Sequence, residues 1–409
     1  MPTKALVASA RAAYVARRGA EYGVMIGGPI TVDMQKVKAR KDVIVRRSNQ
    51  GVEGWLRNTK NLTVIQGHAR FEDSRTVRVG EEKFEAERIF INAGARAATH
   101  GFQGVPYLTN SSMMEVDFLP KHLIIVGGSY VGLEFAQMYR RFGSDVTVID
   151  RGARLIKRDD EDVSRAVKEI LENEGVQVRL DAECIRAEQR GDGVTVQLDC
   201  RGGDREIAGS HLLLATGRRP NTDDLGLEKA GIEVDARGYI TVDDELKTNV
   251  DGVWALGDCN GKGAFTHTAY NDYEIVAANL LDNDPRRVSD RILTYGLYID
   301  PPLGRAGLTE VQVRSAGRSA LVAKRPMARV GRAVEKGETQ GFMKVLVDAG
   351  TKEILGAAVL GIGGDEVIHS ILDVMYARAP YTVIQRAMHA HPTVSELVPT
   401  MLADLKPLA

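Results

Sequence analysis

Gly127-Gly128-Ser129-Tyr130-Val131-Gly132 has the residue types and spacing of a turn that holds a dinucleotide pyrophosphate. It follows an apolar run, Leu123-Ile124-Ile125-Val126, that reads as a strand, and it opens a helical pattern from Tyr130 to Phe142. Gly127 permits the tight turn and Gly132 permits close packing of helix on strand. A helix N-terminus then offers N–H groups and a partial positive charge to phosphate. Ser129 stands where the pattern has glycine; its side chain adds bulk beside the pyrophosphate, but also a donor. Asp150 closes the next strand, 23 residues after Gly127, where an acid can bind a ribose 2′-hydroxyl. That favours NADH. Arg151, Arg154 and Lys157 follow at once and could pair with a 2′-phosphate, or be ordinary surface cations, so NADPH stays open. The plainer alternative is a glycine-bearing turn without ligand; it leaves the two flanking strands and the placed acid unexplained.

A chain of 409 residues suggests two to four compact domains. Its formal net charge of -1 argues against nucleic acid or an anionic membrane as main partner, since either needs a basic footprint. No apolar run approaches the roughly 20 residues of a membrane span. Met1 to Arg18 is basic and amphipathic like a transit peptide, but Arg11 interrupts any secretory apolar centre, so it reads as a structural helix and the expected location is the cytoplasm. The three cysteines, Cys184, Cys200 and Cys259, are far apart and read as free thiols of a reducing compartment. No metal site is expected.

These residues need elements to position them. Thr3 to Arg18 predicts a helix that stops near Gly19, and Asp33 to Arg57 a long charged one with Val37, Val43, Ile44 and Trp55 facing inward. Leu62 to Phe71 and Arg75 to Gly80 alternate as short strands. Arg88 to Gly94 is an apolar strand ending in small residues, where Gly94 lets a backbone approach a ligand. His122 to Asp150 is a complete βαβ unit. With the helix Asp159 to Glu174 and strands at Val176–Leu180, Gly193–Leu198 and His211–Ala215, residues 120–239 predict one doubly wound nucleotide domain. Val253 to Leu256 is an apolar strand stopping at Gly257-Asp258. Strands at Phe342–Val347 and Ile354–Leu360, then helices at Asp365–Arg378 and Tyr381–His389, suggest a final α+β domain.

Three further segments carry a family resemblance. Ala215-Thr216-Gly217-Arg218-Arg219-Pro220-Asn221 resembles the ATGRxPN segment of flavoprotein disulfide reductases. Thr248 to Asp258 resembles their second flavin motif, and His389-Ala390-His391-Pro392-Thr393-Val394-Ser395-Glu396 their C-terminal HxHPTxSE signature. With Pro2-Thr3-Lys4, the likeness to the pyridine nucleotide–disulfide oxidoreductases runs from end to end. Tyr298 to Glu310 resembles most the mercuric-reductase-like branch. The resemblance implies an α/β fold with two dinucleotide-binding, Rossmann-like domains and a C-terminal α+β dimerisation domain. Residues 1–119 and 240–288 would bind FAD, 120–239 NAD(P)H, and 289–409 would form the interface of a homodimer. It implies that Asp258, beside Gly257, accepts hydrogen bonds from the flavin ribityl chain, and that Lys4 pairs with Glu134 beside the flavin ring. His391 would be the acid–base group, since imidazole titrates near neutral pH, with Glu396 fixing its tautomer. His389 would be structural.

The family's flavin domain begins with its own strand, GxGxxG turn and a GGxCxxxxGCxPTK helix holding the redox disulfide. This chain begins at Met1-Pro2-Thr3-Lys4, so neither the fingerprint nor the cysteine pair is among residues 1–409. The C-terminus also lacks the vicinal cysteines with which mercuric reductases capture mercuric ion, which weakens a mercury substrate. One reading is that about 40–50 residues precede Met1 in the full enzyme, which then passes electrons from NAD(P)H through FAD to a disulfide or a thiol- or metal-type acceptor. Others are a non-catalytic nucleotide-binding dimer module, and a flavin diaphorase or transhydrogenase. The first is favoured, because Lys4, Glu134, Asp258, His391 and Glu396 make joint sense only around a flavin and a reactive disulfide.

Overall fold

Strands buried on both faces need apolar runs, not alternation; three largely apolar strands and the alternating edge strand Gln177–Arg179 form a parallel sheet. The computed structural model describes every residue except 1, 100, 103, 183, 184, 199–205 and 409, so Cys184 and Cys200 lie outside the described residues. The chain divides into two compact units: Met1–Arg46, Thr99–Thr216 and Ile292–Ala409 form one; Arg47–Ala98 and Gly217–Arg291 form the other.

In the first unit the parallel strands run in the order His211–Leu214, His122–Val126, Asp145–Ile149, Gln177–Arg179. Successive side chains point to opposite faces. Leu123 and Ile125 join the core that receives Leu133, Phe135 and Ala136 of the Tyr130–Phe142 helix and Leu6 and Ala10 of the Pro2–Arg17 helix. Ile124 and Val126 face the other way, onto Val194, Val196 and Leu198 of a three-stranded antiparallel sheet. The C-terminal part is a six-stranded sheet, all its pairings antiparallel, whose core takes Val367, Ile368 and Ile371 of the Gly364–Tyr376 helix. The expected α/β architecture with an α+β end is therefore present.

In the second unit Val253–Ala255 pairs in parallel with Ile89–Ile91, and Trp254 stacks on Phe90 at 5.1 Å. Arg218–Pro220 pairs with Ala95–Ala97, and Ala69–Phe71, Thr76–Val79 and Glu82–Glu85 form an antiparallel meander.

Three local expectations fail. Leu62 to His68 is not a strand; pairing starts at Ala69, opposite Val79, because only there does the segment meet a partner edge. The helix expected over Tyr381–His389 is only Thr382–Gln385. Ile384 is its one buried residue and Met388 is fully exposed, so a second turn would have no packing to hold it. The long helix exists as Met34–Asn58, but Val43 and Trp55 are exposed, Trp55 to 68%. At 3.6 residues per turn Val43 falls about a third of a turn off the face of Val37 and Ile44. Trp55 shares that face but lies past Lys41, the last buried residue of the helix.

Candidate active site

The glycines of the phosphate turn are dictated by contact. Gly127 has φ +123°, and a Cβ there would sit 2.2 Å from the Ala215 carbonyl oxygen. One on Gly132 would sit 2.0 Å from the Gly127 carbonyl oxygen, and one on Gly128 2.6 Å from Leu155. Ser129 is the extended N-cap residue of the Tyr130–Phe142 helix and makes no capping hydrogen bond there, so its hydroxyl does not compete with an anion for the first turn. Val131 packs partly buried against the core and holds that turn down. Asp150 is doubly fixed: Gly128 N–H donates to Oδ2 and Gly152 N–H to Oδ1, each at 2.6 Å. A carboxylate has lone pairs left after two such bonds, which suits it to accept from ribose hydroxyls. Arg151 is exposed, while Arg154 donates to the Lys157 carbonyl at 3.1 Å. The site thus fits a nicotinamide dinucleotide.

Lys4 and Glu134 are brought together from 130 positions apart, with Nζ 2.6 and 2.5 Å from the two carboxylate oxygens. Glu134 is buried; Lys4 stays 40% exposed at its side chain. Sequence reasoning missed their third partner, Tyr298. Its backbone N–H donates to Glu134 Oε1 at 3.1 Å, and its ring centroid lies 4.4 Å from Lys4 Nζ. The available signal was its place at the head of the Tyr298–Glu310 stretch. Replacing Lys4 by Met should leave the buried Glu134 carboxylate with one neutral partner. With Lys4 partly in water, the expected loss is about 1–2 kcal/mol, read as a lower melting temperature. An unchanged melting temperature would show the pair to be incidental.

His391 and Glu396 also meet. Nδ1 lies 3.0 and 2.8 Å from the two carboxylate oxygens. Glu396 is itself placed by its N–H donating to the Thr393 hydroxyl at 3.2 Å, which in turn donates to Ala390 O at 2.8 Å. The His391 side chain is 80% exposed and that of Glu396 15%. The carboxylate therefore accepts a hydrogen bond from Nδ1–H and leaves Nε2 as the free nitrogen of an exposed ring. His389 is half-buried, with Nδ1 3.1 Å from Ala387 O.

The expected flavin residues of the second unit are prepared for a ligand. Gly94 (φ +70°) and Gly217 (φ +125°) hold glycine-favouring conformations, yet a Cβ on either would meet nothing within 4 Å. Bare backbone facing open space suits close approach of a cofactor. Gly257, φ +71°, has no such freedom: a Cβ would lie 2.6 Å from Asn92 Oδ1, and its N–H donates to buried Asp272 at 2.8 Å. That fixes Asp258, whose Oδ2 accepts from Arg218 at 3.2 Å. Its second oxygen suits a hydroxyl-rich chain, so these residues fit FAD. Cys259 next to it is buried; burial pushes its thiol up, away from the reactive thiolate.

A doubly wound nucleotide sheet, glycines bared for a second cofactor and an oriented histidine define a pyridine-nucleotide-dependent flavoenzyme. Residues 1–272 match the family profile described as pyridine nucleotide-disulphide oxidoreductase, and residues 294–402 match that family's dimerisation domain. Among curated relatives, the probable pyridine nucleotide-disulfide oxidoreductase RclA of Escherichia coli is 35% identical, over 88% of this chain and 85% of its own. A dihydrolipoyl dehydrogenase of Thermus scotoductus is 33% identical over 97% of this chain and 86% of its own. A mercuric reductase of Streptomyces lividans is 32% identical over 97% and 85%. The solved structure titled HOCl-induced flavoprotein disulfide reductase RclA from Escherichia coli superposes with a TM-score of 0.89 at 32% identity, covering 99% of this chain and 89% of that one.

The chain therefore belongs to the pyridine nucleotide–disulfide oxidoreductase family. It is an enzyme of the kind that passes electrons from NAD(P)H through FAD to a disulfide, and a non-catalytic module is not favoured. Among the described residues no helix is long and apolar enough to cross a membrane.

Proposed function

We propose that Gly127–Gly132 and Asp150 bind the nicotinamide nucleotide, that Gly94, Gly217, Gly257 and Asp258 hold FAD, and that His391 with Glu396 manages protons at a disulfide. The observation that carries this reading is Asp150 held by two backbone N–H groups beside an uncapped helix start. The first turn binds the pyrophosphate; the fixed carboxylate receives ribose hydroxyls. Gly94, Gly217, Gly257 and Asp258 would hold FAD, which would supply a hydride acceptor and onward electron transfer. Lys4, fixed by Glu134 and Tyr298, supplies a cation on the flavin side. His391 Nε2 takes a proton from an attacking thiol and returns it to a departing one. The division into 1–119, 120–239, 240–288 and 289–409 goes with these roles, as does a homodimer through the last part, working in the cytoplasm on a small-molecule or disulfide acceptor.

Asp150 also sets the nucleotide preference. A fixed carboxylate repels a 2′-phosphate, so kcat/KM should favour NADH over NADPH by roughly tenfold or more, about 1.4 kcal/mol. Asp150→Ala should narrow that ratio by weakening NADH. Steady-state kinetics with both nucleotides and an artificial acceptor tests it; a preference for NADPH in the wild type would overturn the role of Asp150 and give Arg151 and its neighbours the phosphate.

A further inference from the structure

The segment between Asp150 and the Glu161–Asn173 helix touches the phosphate turn three times. Gly128 N–H donates to Asp150, Ile156 N–H donates to the Gly128 carbonyl at 2.9 Å, and the Tyr130 hydroxyl donates to Asp159 Oδ2 at 2.9 Å. Ile156 is a β-branched residue at φ +39°, a conformation kept only where surroundings impose it. Its carbonyl accepts from Asp159 N–H at 2.8 Å, and Asp159 is in turn held from the C-terminal domain. The Tyr295 hydroxyl donates to Asp159 Oδ1 at 3.1 Å, its ring meets that of Tyr130 edge-on at 5.4 Å, and Arg305 Nε lies 3.6 Å from Oδ1. One residue on, Asp160 accepts from Glu310 N–H at 2.8 Å and pairs with buried Lys344 at 2.8 Å. Asp159 has no exposed side-chain surface. Burial raises its carboxyl and both phenols, Tyr295 to about 12, so both phenols stay donors.

Tyr130 is the first residue of a helix that no side chain caps. The first turn of a helix has the fewest intrahelical bonds, so tertiary contacts decide how firmly it is held. We propose that Asp159 is a positioning residue for the nicotinamide nucleotide: by holding Tyr130 and Tyr295 together it ties the pyrophosphate-binding turn to the C-terminal domain. The assignment rests on the nucleotide reading above. It also means that the domain lending the acid–base histidine helps to set nucleotide affinity.

The test uses the FAD-containing enzyme with Tyr130→Phe, Tyr295→Phe and Asp159→Asn, and Tyr130→Phe/Asp159→Asn together. NADH dissociation constants come from nucleotide fluorescence, and kcat and KM from an artificial electron acceptor. Each single variant should raise the dissociation constant and KM for NADH about tenfold, the worth of one charge-assisted hydrogen bond. At saturating NADH, kcat should stay within about twofold. The double variant should be no weaker than the worse single one, because all act through one contact. Should Asp159→Asn not fold, Tyr295→Phe decides. Dissociation constants within twofold of wild type, or kcat falling together with melting temperature while affinity holds, would overturn the assignment. Asp150→Ala is the control. If it weakens NADH and these variants do not, only the Asp159 assignment falls; if it too has no effect, the nucleotide reading falls and takes this with it.

Discussion

His391→Ala is expected to cut turnover with a disulfide or thiol substrate by roughly 100- to 10,000-fold, the usual contribution of a general acid–base group. The effect is read on the FAD-containing enzyme with a disulfide or thiol as the acceptor. The reason is geometric. Glu396 engages Nδ1 at 2.8 Å and the ring is otherwise exposed, so Nε2 is the nitrogen free to exchange protons with a thiol. Removing the ring leaves that half-reaction without a base. Hydride transfer from NADH needs no imidazole, and the proposed nucleotide turn lies on a different part of the chain. Flavin reduction followed by stopped-flow absorbance should therefore be nearly unchanged, as should turnover with an artificial electron acceptor. Glu396→Gln should give a smaller loss with the same split, since it weakens the orientation but keeps the ring. If His391→Ala slowed flavin reduction as much as overall turnover, the histidine would be a folding or dimer residue.

Gly127→Ala should abolish measurable NADH binding. The new Cβ would have to occupy a point 2.2 Å from the Ala215 carbonyl oxygen, on a backbone at φ +123°. Both terms act against the turn, because backbone cannot rotate aside as a flexible side chain can. The cost is about 3 kcal/mol or more, and the turn can escape it only by moving. Any such move displaces Gly127 from its hydrogen bond to Ile149 O and separates it from Gly132, whose own missing Cβ lets the helix start lie on the Gly127 carbonyl. Titration calorimetry with NADH reads the loss of affinity, and the melting temperature reads the strain. Wild-type affinity in this variant would mean that the nucleotide binds elsewhere.

Contiguous features were determined by the sequence alone. The βαβ unit from His122 to Asp150 is legible because strand, turn, helix and acid follow one another; Gly132 is demanded from within the motif, whereas Ala215 and Leu155, which demand Gly127 and Gly128, are brought up by the fold. The His391–Glu396 pair was reached through the resemblance of its octapeptide, and the structure shows how it forms: Thr393 builds the turn that brings residues five apart into contact. Lys4 with Glu134 was reached only through family resemblance, since no local periodicity links residues 130 apart. Tyr298, and the Asp159–Tyr130–Tyr295 cluster, were decided wholly by tertiary structure. Tyr130 reads in sequence as a filler of the glycine pattern, and Asp159 as the first of several acids opening a helix. Their partnership exists because strands of the C-terminal domain deliver Tyr295 and Arg305 to the same buried point. Burial was also beyond local reading. Trp55 has the spacing of a core residue and is exposed, whereas Lys41 is charged and buried, its ammonium donating to Met114 O at 2.6 Å. Helical period says which residues share a face; only the chain packed against that face decides whether it is covered, and for how many turns.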